Sequence, residues 1–304
     1  MALIEEYHST GNWLFKKRSY IPIILYVLAT VYLYHTIHLD LEINLLQSNI
    51  IPEVLGNLDL EEINLLQSSI AVKVLEKTLY EICIEQTWWK ILCYAISFLG
   101  ILIRAITIGY TPKSTSGRNT EAGQVAEVLN TKGIYACVRH PLYVGNALMW
   151  LGILTYPGDI WLTLLGMAFF WLYYERIMFA EEDFLHTKFG KTYTDWAAIT
   201  PAFIPNFGKW KSTDLDFSFK NIFKREYSGF LAVSVSMLFI YYWVNFSILH
   251  AIYHTTFQKY ITTLGDNIEN IDLFWGTLVV FSILLTIFVK IIRKTTNWLE
   301  VEGR

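Results

Sequence analysis

The chain has 304 residues, of which 54% are hydrophobic and 17% charged, with a formal net charge of -3 and a mean hydropathy of +0.36. Its apolar residues come in blocks of about 20, the length that spans a bilayer's hydrocarbon core, which speaks against an ordinary soluble domain. The near-neutral balance gives no footing for nucleic acid, and Cys83, Cys93 and Cys137 have neither metal-ligand spacing nor a disulfide framework.

The sequence predicts an all-α integral membrane protein with about six transmembrane helices, near residues 20–38, 88–110, 141–157, 160–178, 228–249 and 273–292. Three units follow: 1–87, a membrane helix and an acidic outer loop; 88–207, a membrane core; and 208–304, an amphipathic linker and a C-terminal transmembrane hairpin. The first apolar block, from about Tyr20, is too long for a cleaved signal and lacks a small-residue cleavage site.

Basic residues set the expected orientation. Lys16, Lys17 and Arg18 precede the first span, Lys113, Arg118, Lys132 and Arg139 follow the second, and Lys290, Arg293 and Lys294 close the sixth. Between Leu39 and Thr87, nine acids face only Lys73 and Lys77. Both termini are therefore expected on the cytoplasmic side, in the inner membrane of a bacterium or the endoplasmic reticulum of a eukaryote. The acidic loop holds a near-repeat, Leu39–Ser48 against Leu58–Ser68, which reads as two short amphipathic helices.

The third and fourth spans are joined by Tyr156-Pro157-Gly158-Asp159, a turn sequence that makes them an antiparallel hairpin. Arg139-His140-Pro141-Leu142-Tyr143-Val144-Gly145 opens that hairpin, and Glu181-Glu182 stand about one turn beyond its end. Both clusters fall on the cytoplasmic side. Pro141 suits a first helical turn, whose free N–H groups and positive dipole end favour an anion. Arg139 offers a planar fork of donors for a carboxylate or phosphate. Alternatively, Arg139 and His140 only anchor the third span to headgroups. Leu185, Phe189, Tyr193 and Trp196 follow the acidic pair at three-to-four spacing, so one face of that helix is buried and at least one carboxylate points inward.

Other charges have two readings. Arg104, within the second span, either snorkels to the surface or receives an anionic group of a substrate. Glu175 and Arg176 belong to the site or form a local charge cluster, with Arg176 one possible partner of the Glu pair. Lys209 to Arg225 mixes Lys with Phe and Trp, which suits a segment resting on anionic headgroups.

The pattern Gly133-x-Tyr135-x3-Arg139-His140-Pro141-x-Tyr143-x-Gly145, followed by Glu181-Glu182-x2-Leu185-x3-Phe189-Gly190-x2-Tyr193, resembles the isoprenylcysteine carboxyl methyltransferase and phospholipid methyltransferase superfamily. The resemblance covers about residues 88–207. It implies a membrane enzyme that takes the methyl group of S-adenosyl-L-methionine on the cytoplasmic side and admits a lipid or lipidated substrate from the bilayer. Gly133, Tyr135, His140, Tyr143, Gly145, Glu181 and Glu182 would then hold the cofactor. Arg139, His140 and Glu182 would serve catalysis, and Arg104, Arg139, Arg176 and Trp196 the substrate. Where many relatives have a Tyr and then Arg-Val-Pro, this chain has Trp196 and Ile199-Thr200-Pro201, which counts against a prenylcysteine carboxylate acceptor. An anionic oxygen acceptor is favoured.

Two other classes compete. Membrane sterol reductases carry a similar Arg-His and Tyr-x-Gly pattern and would bind NADPH, but Glu181-Glu182 and Pro141 count against them. A transporter or scaffold would keep the hairpin for packing alone, yet paired broken helices are absent from the sequence.

Overall fold

The computed structural model describes residues 3–18, 20–54, 83–112, 126–253, 256–266 and 272–301. Nine helices carry these residues: α1 (Leu3–Lys17), α2 (Ile21–Val54), α3 (Thr87–Gly109), α4 (Pro141–Thr155), α5 (Ile160–Phe189), α6 (Lys191–Ile199), α7 (Phe219–Tyr253), α8 (Phe257–Asp266) and α9 (Leu273–Thr295). The fold is the all-α membrane architecture expected. Ile21–Asp40 of α2, α3, Phe219–Ala251 of α7 and α9 are long and apolar enough to cross a bilayer. The expected third span is the shorter apolar helix α4, with 15 residues. The fourth is the first half of a 30-residue helix, α5, which runs on to carry the Glu pair.

The first copy of the near-repeat continues α2 as helix rather than forming a short helix of its own. The second copy, Leu58–Ser68, lies outside the described residues, as do Lys113 and Arg118.

The α4–α5 turn forms as its sequence predicts. Gly158 takes φ +84°, a value that favours glycine, and Asp159 caps α5 by accepting from the Leu162 N–H at 2.8 Å. Small residues let α3 and α4 cross closely. A Cβ on Gly145 would stand 2.5 Å from Arg104 Cγ, and one on Gly152 would stand 2.2 Å from Ser97 Oγ. Without lipid–water contrast between spans, such backbone approach is what holds helices together.

The other spans gather round this pair. Trp243 of α7 donates to the Thr30 carbonyl of α2 at 2.9 Å. At the end of the bundle away from the charged clusters, Trp275 of α9 donates to the Tyr156 hydroxyl at 2.8 Å, and Trp89 of α3 to the Tyr156 carbonyl at 2.9 Å. There too Lys90 pairs with Asp272. The hairpin α7–α9 is thus packed into the bundle.

The N-terminal helix α1 is an element the sequence reading did not foresee. It lies so close along α5 that a Cβ on Gly11 would stand 2.2 Å from the Arg176 carbonyl oxygen. His8 reaches Asp183 at 3.2 Å, and Phe15 is 2% exposed among Tyr173, Tyr174 and Ile177.

Candidate active site

Four backbone hydrogen bonds lace the loop before α4 to the chain after α6. Gly133 N donates to Lys211 O at 2.8 Å, Arg139 N to Pro201 O at 2.9 Å, His140 N to Ala202 O at 3.2 Å, and Asn206 N to Cys137 O at 2.9 Å. Gly133 holds φ +61° at its antiparallel bridge with Lys211, a conformation side chains resist. The lacing fixes where Arg139 and His140 leave the backbone. Along it, Ile204 and Phe207 are exposed, as is Trp210 at the start of the Lys209 to Arg225 segment expected to rest on headgroups.

Helix α5 brings the acidic pair to the same place. Glu182 Oε2 accepts from Arg139 Nη1 at 2.9 Å, and its Oε1 lies 2.8 Å from His140 Nε2. Burial raises the Glu182 carboxyl, but the His140 hydrogen bond and the charges of His140 and Arg139 outweigh it and hold the group below the usual carboxylate range. Glu181, about 100° away round the helix, accepts from the Tyr143 hydroxyl at 2.9 Å and lies 3.7 Å from His140 Nδ1. Tyr143 stacks on His140, with ring centres 5.6 Å apart.

All of these groups except Tyr143 wall one cleft. Tyr135, Arg139, His140, Glu181, Glu182 and Trp196 line it, as do Phe15 of α1, Phe184 of α5 and Tyr193 of α6. Trp196 Nε1 donates to the Tyr135 carbonyl at 3.1 Å, which pins one aromatic wall. Arg139 Nε and the Tyr193 hydroxyl are both buried at this wall without a hydrogen-bond partner of standard geometry among the described residues, and the two side chains interact with each other.

The other residues named from sequence sit elsewhere. Gly133 belongs to the lacing, and Gly145 to the α3–α4 crossing. Arg176 turns to α1, donating to Thr10 Oγ1 at 3.2 Å with its guanidinium 4.9 Å from the Tyr7 ring, so it does not pair with the Glu pair. Arg104 turns inward rather than snorkelling. Its Nε and Nη2 each donate at 2.8 Å to Glu226 of α7, and its Nη1 donates to Asn146 Oδ1 at 2.7 Å. Asn146 passes the chain on, donating to the Tyr174 hydroxyl at 2.9 Å.

Glu226 and Phe15 were missed from sequence. Glu226 follows Lys224-Arg225 and reads as one charge in a surface run. Phe15 sits before a basic cluster with no motif to mark it.

Comparison with known proteins bears on the same segment. The phospholipid methyltransferase family model matches residues 86–192. Over 78 residues the chain is 37% identical to the protein-S-isoprenylcysteine O-methyltransferase of Schizosaccharomyces pombe, covering 26% of this chain and 33% of that one. It is 28% identical over 127 residues to the cobalt-zinc-cadmium resistance protein CzcN of Cupriavidus metallidurans, covering 42% and 56%. The nickel-cobalt-cadmium resistance protein NccN of Alcaligenes xylosoxydans xylosoxydans is similar at 28% over 128 residues, covering 42% and 57%. The chain thus spans from a third to rather more than half the length of these relatives. No solved structure matches it. Among the described residues no group of His, Cys, Asp and Glu is arranged to hold a metal ion.

Proposed function

We propose that this protein, whose core carries the sequence pattern of the isoprenylcysteine and phospholipid methyltransferase superfamily, is an S-adenosylmethionine-dependent methyltransferase acting on a membrane lipid or lipid-linked headgroup at the cytoplasmic face. The observation that carries this reading is the cleft in which Arg139, His140 and the Glu pair converge beside aromatic walls. Its donor set fits the cofactor. Glu181 has a second oxygen outside the bond to Tyr143, suited to the amine or ribose hydroxyls. The Arg139 guanidinium suits the carboxylate, and Phe15, Tyr135 and Trp196 suit the adenine face.

When bound, S-adenosylmethionine supplies a methyl group that is already activated. The residues of this chain then have to bind, orient and exclude water. Glu182, held by Arg139 and His140, fixes both side chains in place. Tyr143 does the same for Glu181. An anionic acceptor oxygen is ionised at neutral pH and needs no base. An amine acceptor would give up a proton, for which His140 and Glu182 are the nearest acceptors.

The test is calorimetric titration of the purified protein with S-adenosylmethionine and, separately, with NADPH. The methyl donor binds and NADPH does not. His140→Ala or Glu181→Ala weakens donor binding at least tenfold. Tight NADPH binding without a response to the methyl donor would sink the reading.

A further inference from the structure

At the end of the bundle away from the charged cleft, α3, α7, α8 and the start of α9 surround an open cavity of about 820 Å³. Thr87 opens α3 and Asp272 caps α9, so the cavity lies where two bilayer-crossing helices begin. That level is the headgroup zone of a membrane. The ten-residue helix α8 forms one side. Its Tyr260 and Leu264 line the cavity, whereas Phe257 and Ile261 are 56% and 48% exposed. A short helix with apolar residues turned outward suits the membrane interface.

The lining carries two cations and one carboxylate, those of Lys90, Lys259 and Asp272. Lys90 is only 6% exposed. Its Nζ pairs with Asp272 and lies 4.9 Å from the Tyr241 ring centre. One of its three hydrogens serves Asp272, so two are left. Asp272 has less to offer a ligand, since Oδ2 takes Lys90 and Oδ1 accepts from the Trp275 N–H at 3.0 Å. Lys259 is exposed and forms no ion pair among the described residues. The Tyr242 hydroxyl accepts from the Asp272 N–H at 3.3 Å, which leaves its own hydrogen to donate. Tyr260 donates to the Tyr242 carbonyl at 3.2 Å and so ties α8, with Lys259, to α7. Glu85, the other acid near Tyr241, is exposed and outside the lining.

We propose that this cavity binds the phosphate group of a bilayer phospholipid, with Lys90, Lys259 and Tyr242 as donors and Leu249, Leu264 and Phe274 against its apolar part. A buried charge at the edge of a membrane span is costly and marks a functional site by default. An ammonium is a point-charge partner for phosphate, and basic pockets between spans are where lipid headgroups are held. The cavity is far larger than inorganic phosphate needs, and its leucines and Phe274 suit a ligand that is polar at one end only. A phosphate held by Lys90 and Lys259 would tie α8 to α3. The site is separate from the charged cleft and does not depend on the methyltransferase reading.

The test is native mass spectrometry of the full chain, delipidated in detergent and titrated with dioleoyl phosphatidylglycerol or with dioleoylglycerol, which has the same chains and no phosphate. The first phospholipid should bind at least tenfold more tightly than dioleoylglycerol. Lys259→Gln should weaken it at least fivefold, and Tyr242→Phe severalfold, with dioleoylglycerol unaffected by either. Lys90 is left in place, because removing it would strand Asp272. Thr263→Trp, which fills the cavity from α8, should also weaken the phospholipid at least fivefold. Lys290→Gln, at the other end of α9, should change it less than twofold. Inorganic phosphate in millimolar excess should not displace the lipid. Added phospholipid should raise the thermal midpoint of the parent more than that of Lys259→Gln.

Equal binding of the two lipids would overturn the proposal, as would a loss in Lys290→Gln as large as that in Lys259→Gln. Displacement by inorganic phosphate would overturn it too, by making this a site for a free anion. So would an equal rise in thermal midpoint in the parent and Lys259→Gln.

Discussion

Arg139 and Arg104 are both largely buried, both reach a glutamate on another helix, and both lie on the elements that flank the α3–α4 crossing. They differ in what they leave over. Arg104 closes on Glu226 through two parallel bonds and spends its third nitrogen on Asn146. Arg139 gives one nitrogen to Glu182, makes no bond of standard geometry through Nε, and faces a cleft. A bidentate pair whose third nitrogen is also bonded is a structural clamp; a pair that leaves nitrogens unbonded beside a cleft is equipped to take a ligand. In such a membrane chain, burial alone does not distinguish the two, but following each guanidinium nitrogen to its partner does.

The comparison makes separable predictions. The largest effect belongs to the closed clamp. Glu226→Ala leaves Arg104 uncompensated and should cost about 3 kcal/mol of stability or more, read from the thermal midpoint in detergent. The double variant Arg104→Met with Glu226→Leu should recover most of that loss, and S-adenosylmethionine affinity should change less than about threefold, since a well-packed apolar pair can replace a buried ion pair. A donor affinity that collapsed in the double variant would erase the distinction.

Next comes the open cluster. Glu182→Gln should weaken the methyl donor about thirtyfold, roughly 2 kcal/mol, through loss of charge-assisted bonds to Arg139 and His140. It should also change the pH profile. Glu182 titrates below the usual carboxylate range in the folded protein. Its stabilising contribution is therefore fully present above that range and is lost as pH falls through the lower folded-state value. Acid melts of the parent should show that added loss, and Glu182→Gln should lack it.

Tyr143→Phe removes a single hydrogen bond to Glu181, worth about 1 kcal/mol, and should weaken donor binding about fivefold. The smallest effect is Lys132→Ala. Its partner Asp214 is 83% exposed, and a surface pair of this kind should move stability by less than about 0.5 kcal/mol.

Local chemistry made part of this molecule readable. The Tyr156-Pro157-Gly158-Asp159 turn supplies its own positive φ and its own cap, so the hairpin that returns the Glu pair to Arg139 follows from four residues. The convergence of Tyr135, Arg139, His140, Glu181, Glu182 and Trp196 on one cleft needed that hairpin and the two motifs. What sequence did not give was any partner on a distant helix. Both readings of Arg104 took it to be alone, because Glu226 lies 122 positions later in a run of surface-like charges. Gly145 sits inside the motif, yet its neighbours are Arg104 and Gly100, which only the packing of α3 on α4 reveals. Helix α1, polar and short, gained its place from close backbone contact at Gly11, a fit that composition does not announce.

That contact at Gly11 also bears on modularity. Phe15 walls the charged cleft and lies far ahead of the family-matched residues 86–192. The shared core is therefore not a self-contained cassette. Excised at those boundaries it would lack that side of the cleft. A tag that pries α1 from α5 would disturb the cleft, whereas one placed after Thr295 leaves this wall alone.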